Sequence, residues 1–279
     1  MPPADETDPG RTPPDVLRTV EANRIPTAGN ERPIVAESCD VAVEAPVTIE
    51  IAHVGAYTLM CSPCDLRALA VGFMFTEGMI RSLDDIGALS ECTDDPDILR
   101  VQLADPSRAT ARERALVISS SCGLCGSKSL QELLRMLPTV GNALQVKAEA
   151  LRRATVSLRE HQRIFPRTGG THAAGIFGAT GSIFAFAEDI GRHNALDKAI
   201  GGCLLAGRTM AGCGVALSGR VSLEMVVKSA RAGLEVMAAV SAPTSLAVEA
   251  ASCCNITLCG FVRGESATVY TRPGRIQQT

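Results

Sequence analysis

Ile183-Phe184-Ala185-Phe186-Ala187-Glu188-Asp189-Ile190-Gly191-Arg192-His193-Asn194 is the stretch whose reading decides the fold. Residues 181–187 read as a buried strand, an apolar run bounded by turn residues. A polar turn follows, then a helix over 195–205 with Asn194 placed to cap it. The pattern recurs towards the C-terminus. Val215-Ala216-Leu217 runs into Ser218-Gly219-Arg220 and a helix over 222–232. Residues 236–240 run into Ser241-Ala242-Pro243-Thr244-Ser245 and a helix to 251. Ile256-Thr257-Leu258 runs into Gly260-Phe261-Val262-Arg263-Gly264, and a strand is expected over 267–270. Strand, turn and helix in alternation predict an α/β architecture.

Open α/β sheets bind ligands beyond the carboxyl ends of their strands, against helix N-termini. Those ends carry Arg192 with His193, Ser218 with Arg220, Ser241 with Thr244 and Ser245, and Arg263. Such a rim suits an anion, because hydroxyls and backbone amides donate and guanidinium forks grip phosphate. His172, in the glycine-rich run Gly169-Gly170-Thr171-His172-Ala173-Ala174-Gly175, is a further candidate and is read as part of a turn. Asp197 and Lys198 are expected on a solvated helix face. No Walker loop or GxGxxG fingerprint is present, so an ATPase or NAD-binding reading has no support.

Upstream lies Ser119-Ser120-Ser121-Cys122-Gly123-Leu124-Cys125-Gly126, between an apolar strand-like run at 115–118 and a helix start at Ser129. Leu130, Leu133, Leu134 and Leu137 then mark one helical face. Two thiols on a glycine-flanked loop ahead of a helix dipole favour the thiolate. A second pair, Cys61-Ser62-Pro63-Cys64, stands just before a helix expected over 65–78.

The chain has 279 residues, 46% hydrophobic and 20% charged, enough for one large domain or two smaller ones. Its net charge of −3 gives no reason to expect nucleic acid as a partner. No apolar run reaches the ~20 residues of a membrane-spanning helix. The acidic, Pro-rich start lacks the basic-then-apolar layout of a signal peptide. With eleven cysteines, an odd number, a reducing cytoplasm is expected, where CxxC pairs are reactive thiols or metal ligands. Most of Cys39, Cys92, Cys203, Cys213, Cys253, Cys254 and Cys259 are expected to fill the core.

Residues 1–34 read as a disordered tail, being rich in Pro, Asp, Glu and Thr. A β-rich N-terminal subdomain is expected over 35–145, with strands around 41–43, 47–51, 56–60 and 98–103, ending with the CxxC loop and its helix. A helix over 147–165 then opens a C-terminal α/β subdomain over 146–279, which carries the anion-binding rim.

Three mechanisms compete for the thiols. A thioredoxin-like redox site has the spacing but has Ser121 where an aromatic residue usually stands. A zinc site could take Cys61, Cys64, Cys122 and Cys125 as a tetrahedral set, making the protein a zinc-stabilised binding module. The third is sulfur relay through a cysteine persulfide.

Together the motifs resemble the FdhD family, accessory sulfurtransferases of formate dehydrogenase. The resemblance rests on Leu69-Ala70-Val71-Gly72-Phe73 with Glu77-Gly78, Ser121-Cys122-Gly123-Leu124-Cys125-Gly126 and Gly169-Gly170-Thr171-His172. It continues through Glu188-Asp189-Ile190-Gly191-Arg192-His193-Asn194-Ala195-Leu196-Asp197-Lys198, Ser218-Gly219-Arg220, Ser241-Ala242-Pro243-Thr244 and Gly260-Phe261-Val262-Arg263. It implies a cytidine-deaminase-like core without zinc, often as a homodimer. It also implies sulfur taken from a cysteine desulfurase and passed to bis(molybdopterin guanine dinucleotide) molybdenum cofactor bound for formate dehydrogenase. On that resemblance Cys122 is the persulfide-bearing cysteine and Cys125 its partner. Phe261-Val262-Arg263-Gly264-Glu265-Ser266 is the cofactor-binding segment, joined by His172, Arg192, His193, Ser218, Arg220 and Thr244 from the rim. No resident metal is implied. GDP is expected to act as a partial mimic of the cofactor, with Arg263 holding a phosphate.

Overall fold

Period-two alternation of small apolar residues builds the main sheet. The structure, a computed structural model, describes residues 16–25, 27, 34–106, 134 and 136–277. The sheet runs in the order β13-β12-β11-β10-β8-β9. Its strands are β8 (His172–Phe177), β9 (Ile183–Asp189), β10 (Gly214–Leu217), β11 (Val236–Ala239), β12 (Thr257–Arg263) and β13 (Ser266–Val269). β10, β11 and β12 pair in parallel, while β8 is antiparallel to both β10 and β9, so β9 runs the same way as β10.

Ala173, Phe177, Ala216, Val236, Ala238, Cys259 and Val262 face one side and pack against α2 (Ala148–His161) through Leu151, Ala154 and Leu158. Their neighbours Ala174, Ile176, Val215, Leu217, Met237, Ala239 and Leu258 face the other side. That side is covered by α4 (Arg192–Leu205), α5 (Leu223–Arg231) and α6 (Ser245–Cys253). A sheet buried on both faces needs apolar residues at every position, which is why these strands read as continuous runs.

A second sheet, β4-β3-β6-β5, comprises β3 (Ala45–Ile51), β4 (Gly55–Cys61), β5 (Ile86–Glu91) and β6 (Ile98–Leu103). Val47, Ile49, Ile51, Leu99 and Val101 bury against Leu69, Val71 and Met74 of α1 (Leu66–Thr76). The other side of α1 lies along α4 at backbone contact: a Cβ added to Gly72 would sit 1.8 Å from the Asp197 carbonyl oxygen. Two short strands, β7 (Val146–Lys147) and β14 (Ile276–Gln277), pair in parallel.

Four expectations are corrected. Residues within the expected disordered tail form β1 (Leu17–Arg24), which pairs in register with β2 (Val35–Ala42); Arg24–Glu37 and Ser38–Glu21 contacts cross the ribbon, so polar composition concealed a strand. From His172 onward the glycine-rich run is strand β8, and Gly175 within it must lack a side chain: a Cβ there would meet Ile183 at 2.7 Å. The helix after β9 begins at Arg192 with Gly191 as its cap, and Asn194 lies inside it. Asp197 and Lys198 are 2% and 1% exposed and belong to the interior, not to a solvated face. Of the cysteines expected in the core, Cys92, Cys203, Cys254 and Cys259 are buried, Cys39 and Cys213 half-buried, and Cys253 exposed.

Candidate functional site

Because β9, β10, β11 and β12 run the same way, the turns that follow them leave from one edge of the sheet. β8 runs opposite, so its first residue, His172, stands at that edge opposite Asp189. The edge therefore gathers the expected rim, and it does so in two groups.

The first group lies over β9, β8 and β10. Gly219 admits His172 and Arg192 to the same place, since a Cβ there would lie 3.1 Å from His172 Nδ1 and 3.8 Å from Arg192 Cβ. Burial pushes the His172 pKa down, and the positive charges of Arg192 and Arg220 add to the effect. Burial, then Arg192, Lys228 and His172, pushes His193 down to about 4. Both imidazoles are thus neutral near pH 7, and the charge of the group comes from the two arginines. Arg192 Nε is buried with no hydrogen-bond partner among the described residues, a donor that costs free energy until an acceptor meets it. His193 Nε2 lies 3.3 Å from Ser222 Oγ and 3.5 Å from Glu224 Oε2. Both partners sit on the same ring nitrogen, so no hydrolase-type relay is formed.

Ser218 and Thr244 are spoken for locally. Ser218 Oγ accepts from the Ala173 amide at 2.8 Å, extending the β8–β10 pairing. Thr244 Oγ1 accepts from the Ala247 amide at 3.3 Å and caps α6. The turns after β10 and β11 are tied together as Val221 donates to Ala242 O and Thr244 donates to Val221 O. This fixes the base of the loop carrying Arg220.

The second group is the β12–β13 hairpin. β12 continues through Phe261-Val262-Arg263 rather than ending at Leu258, and the turn falls at Gly264 and Glu265. Phe261 takes φ of 53°, at a bulge that shifts the register between Gly260 and Arg263, and its amide donates to Ser241 O at 3.2 Å. The Arg263 guanidinium lies 5.5 Å from the Phe261 ring centroid. Val262 points into the core beneath α2 at 2% exposure, so its side chain is packing and not ligand surface. Glu265 and Ser266 are exposed. β12 and β9 stand four strand positions apart in the sheet, which at ~4.8 Å each separates the two groups by about 15–20 Å.

The sequence reading missed what Glu188, Asp189 and Lys198 do. Glu188 accepts from the amides of Arg163, Ile164 and Phe165 and from Thr171 Oγ1, anchoring the entry to β8 and the short helix α3 (Phe165–Thr168). Asp189 Oδ2 lies 2.7 Å from Lys198 Nζ and accepts from the Ser62 amide, while its Oδ1 accepts from Gly191 and Asn194. Ser62 in turn accepts from Lys198 Nζ through its carbonyl and from the Ile190 amide through Oγ. The Cys61-Ser62-Pro63-Cys64 turn is therefore fastened beneath the turn that presents Arg192 and His193. Cys122 and Cys125 lie outside the described residues.

The chain matches the model of the FdhD/NarQ family over residues 42–277. It is 40% identical over 243 residues to the sulfur carrier protein FdhD of Bordetella bronchiseptica, covering 86% of this chain and 88% of that one. The sulfur carrier protein FdhD of Mycobacterium tuberculosis is 39% identical over 252 residues, covering 85% and 91%. A crystal structure of a formate dehydrogenase accessory protein from Desulfotalea psychrophila superposes with a TM-score of 0.74 at 24% identity, covering 94% of this chain and all of that one, and so shares its fold. With a family match across the whole sheet edge and both CxxC pairs, the chain belongs to the FdhD/NarQ family.

Proposed function

We propose that this chain is a sulfur carrier for formate dehydrogenase. In this reading Cys122 takes a sulfur atom from a cysteine desulfurase as a persulfide and delivers it to the molybdenum of bis(molybdopterin guanine dinucleotide). The cofactor here is cargo and substrate. The observation that carries the reading is the two-part cationic edge. A long polyanion with a nucleotide at each end needs donors spread over more than one phosphate group, and the Arg192–Arg220 group and the Arg263 hairpin supply them about 15–20 Å apart. Relatives named as sulfur carrier proteins support the sulfur chemistry. A cytidine-deaminase-like core is part of the same proposal, supported by an open mixed sheet with helices on both faces. So are a homodimeric state and a cytoplasmic location. No helix among the described residues is long and apolar enough to cross a membrane.

For the transfer, Cys122 thiolate attacks the terminal sulfur of the desulfurase persulfide, and the desulfurase leaves as a thiolate. Release as sulfide requires two electrons, which Cys125 supplies by attacking Cys122 and closing a disulfide. The zinc-stabilised chaperone reading fares worse at Cys64, where the Lys198 ammonium stands 3.8 Å from the sulfur and would repel a dication. The test is a mass spectrum after incubation with a cysteine desulfurase and free cysteine. The expected result is one added sulfur atom on Cys122, absent in Cys122→Ala. Wild-type protein that takes up no sulfur overturns the reading.

A further inference from the structure

Cys61 closes β4, and Cys64 stands one residue before the Asp65 cap of α1. Between them the chain folds tightly at Pro63, where the Cys64 amide donates to Ser62 O at 2.8 Å. The chain thus doubles back between two cysteines at the CxxC spacing that thiol–disulfide couples use. The two thiols differ in access: Cys61 is wholly buried against α1, while Cys64 is half-buried and reachable. Lys198 Nζ lies 3.8 Å from Cys64 Sγ and is itself fully buried, pinned between Asp189 Oδ2 at 2.7 Å and Ser62 O at 2.9 Å. Its position is thus fixed by groups other than the sulfur it faces.

We infer that Cys61 and Cys64 form a second thiol–disulfide couple, distinct from the Cys122–Cys125 loop, which exchanges with small-molecule or protein disulfides. Cys64, the accessible thiol, attacks one sulfur of the incoming disulfide as a thiolate, with the Lys198 ammonium stabilising its charge. One half of the incoming disulfide leaves as a thiolate, and a mixed disulfide remains on Cys64. Cys61 then attacks Cys64 Sγ, the internal disulfide closes, and the second half leaves. Two protein thiols are oxidised, one external disulfide is reduced, and the two thiol protons pass to the two released thiolates.

Burial pushes Cys61 up to about 12 and Cys64 up to about 11, with Lys198 offsetting part of the effect. Lys198 therefore lowers the cost of the Cys64 thiolate without removing it, in contrast to low-pKa CxxC sites. Exchange through Cys64 is therefore slow near neutral pH.

The test uses the full chain carrying Cys122→Ser and Cys125→Ser, so that the loop contributes no thiols. The protein is equilibrated with glutathione and glutathione disulfide in graded ratios, free thiols are alkylated, and peptides are mapped by mass spectrometry. The expected result is a peptide holding both Cys61 and Cys64 that has lost two hydrogens and takes up no alkylating reagent. Adding Cys64→Ser should abolish this closure and leave Cys61 as a free thiol. Full alkylation of both residues at every ratio, or Cys64 recovered only as its mixed disulfide with glutathione, would overturn the inference. Neither result depends on sulfur transfer or cofactor binding.

Discussion

Gly72 and Gly201 hold α1 and α4 at backbone contact: a Cβ on Gly72 would fall 1.8 Å from Asp197 O, and one on Gly201 would fall 1.9 Å from Ala68 O. Each glycine thus admits the carbonyl four residues before the other glycine on the facing helix. The contact joins the smaller sheet, through α1, to the helix that presents Arg192 and His193.

Alanine at either glycine should therefore force the helices apart, because the obstruction is backbone and not a flexible side-chain end. Overpacking of this kind costs about 1–3 kcal/mol. Gly72→Ala and Gly201→Ala should each lower the urea midpoint accordingly, and the double variant should cost less than the sum, since one separation relieves both clashes. Additive losses would mean that the helices do not move as a pair.

A buried ion pair reinforces the same junction. Lys228 Nζ lies 2.8 Å from Asp197 Oδ2 and 3.1 Å from Glu77 Oε1, and Thr76 Oγ1 donates to Asp197 Oδ1 at 2.7 Å. Lys228→Met leaves the Asp197 carboxylate buried without its cation, and such a loss is typically about 3–5 kcal/mol. Replacing both, as Asp197→Leu with Lys228→Met, should recover much of that loss. Chemical denaturation of wild type and the two variants measures it.

How much of this could be read from the chain depends on what each residue answers to. The parallel strands were legible because burial on both faces demands unbroken apolar runs, as at Val215-Ala216-Leu217. The edge that gathers Arg192 and Arg220 followed from the alternation of strand, turn and helix, and His172 joins it because β8 runs the opposite way. Strand β8 was hidden because Gly175 makes room for Ile183, a demand that comes from a neighbour in space. Lys198 looked like a surface residue because its partners, Asp189 and Ser62, are remote or unremarkable in sequence. The extension of β12 through Arg263 escaped notice because a bulge, which local composition does not announce, lets the strand run on.

The depressed histidines make the rim acid-labile. His193 titrates near 4 in the folded chain against an ordinary value of 6.5, so between those values the unfolded state binds the proton and the folded state does not. Stability contributed by the neutral imidazole is present above pH 6.5 and is lost as pH falls towards 4. Between pH 7.5 and pH 5 the loss from this residue is about 2 kcal/mol. His193→Gln should flatten the dependence by about that amount in urea denaturation at the two pH values. An unchanged slope would show that His193 is not the group responsible.

The two cationic groups differ in how their arginines are held, and that difference predicts where GDP binds. Arg192 carries a buried Nε with no partner among the described residues, so a phosphate there satisfies a donor already removed from water. Arg263 is exposed and rests on Phe261, so it can be solvated whether or not a ligand is present. A charge-assisted bond at the first site is worth about 1.5–3 kcal/mol, so Arg192→Gln should weaken GDP binding roughly ten- to a hundredfold. An exposed pair is worth about 0.2–1 kcal/mol, so Arg263→Ala should weaken it by only about two- to fivefold. Glutamine at 192 keeps most of the side chain's volume and some donor capacity, so the His172–Gly219 contact is retained. Titration calorimetry on wild type and both variants gives the ranking directly. A larger loss from Arg263→Ala than from Arg192→Gln would move the nucleotide to the β12–β13 hairpin, and no binding by wild type would remove GDP as a mimic of the cofactor's tails.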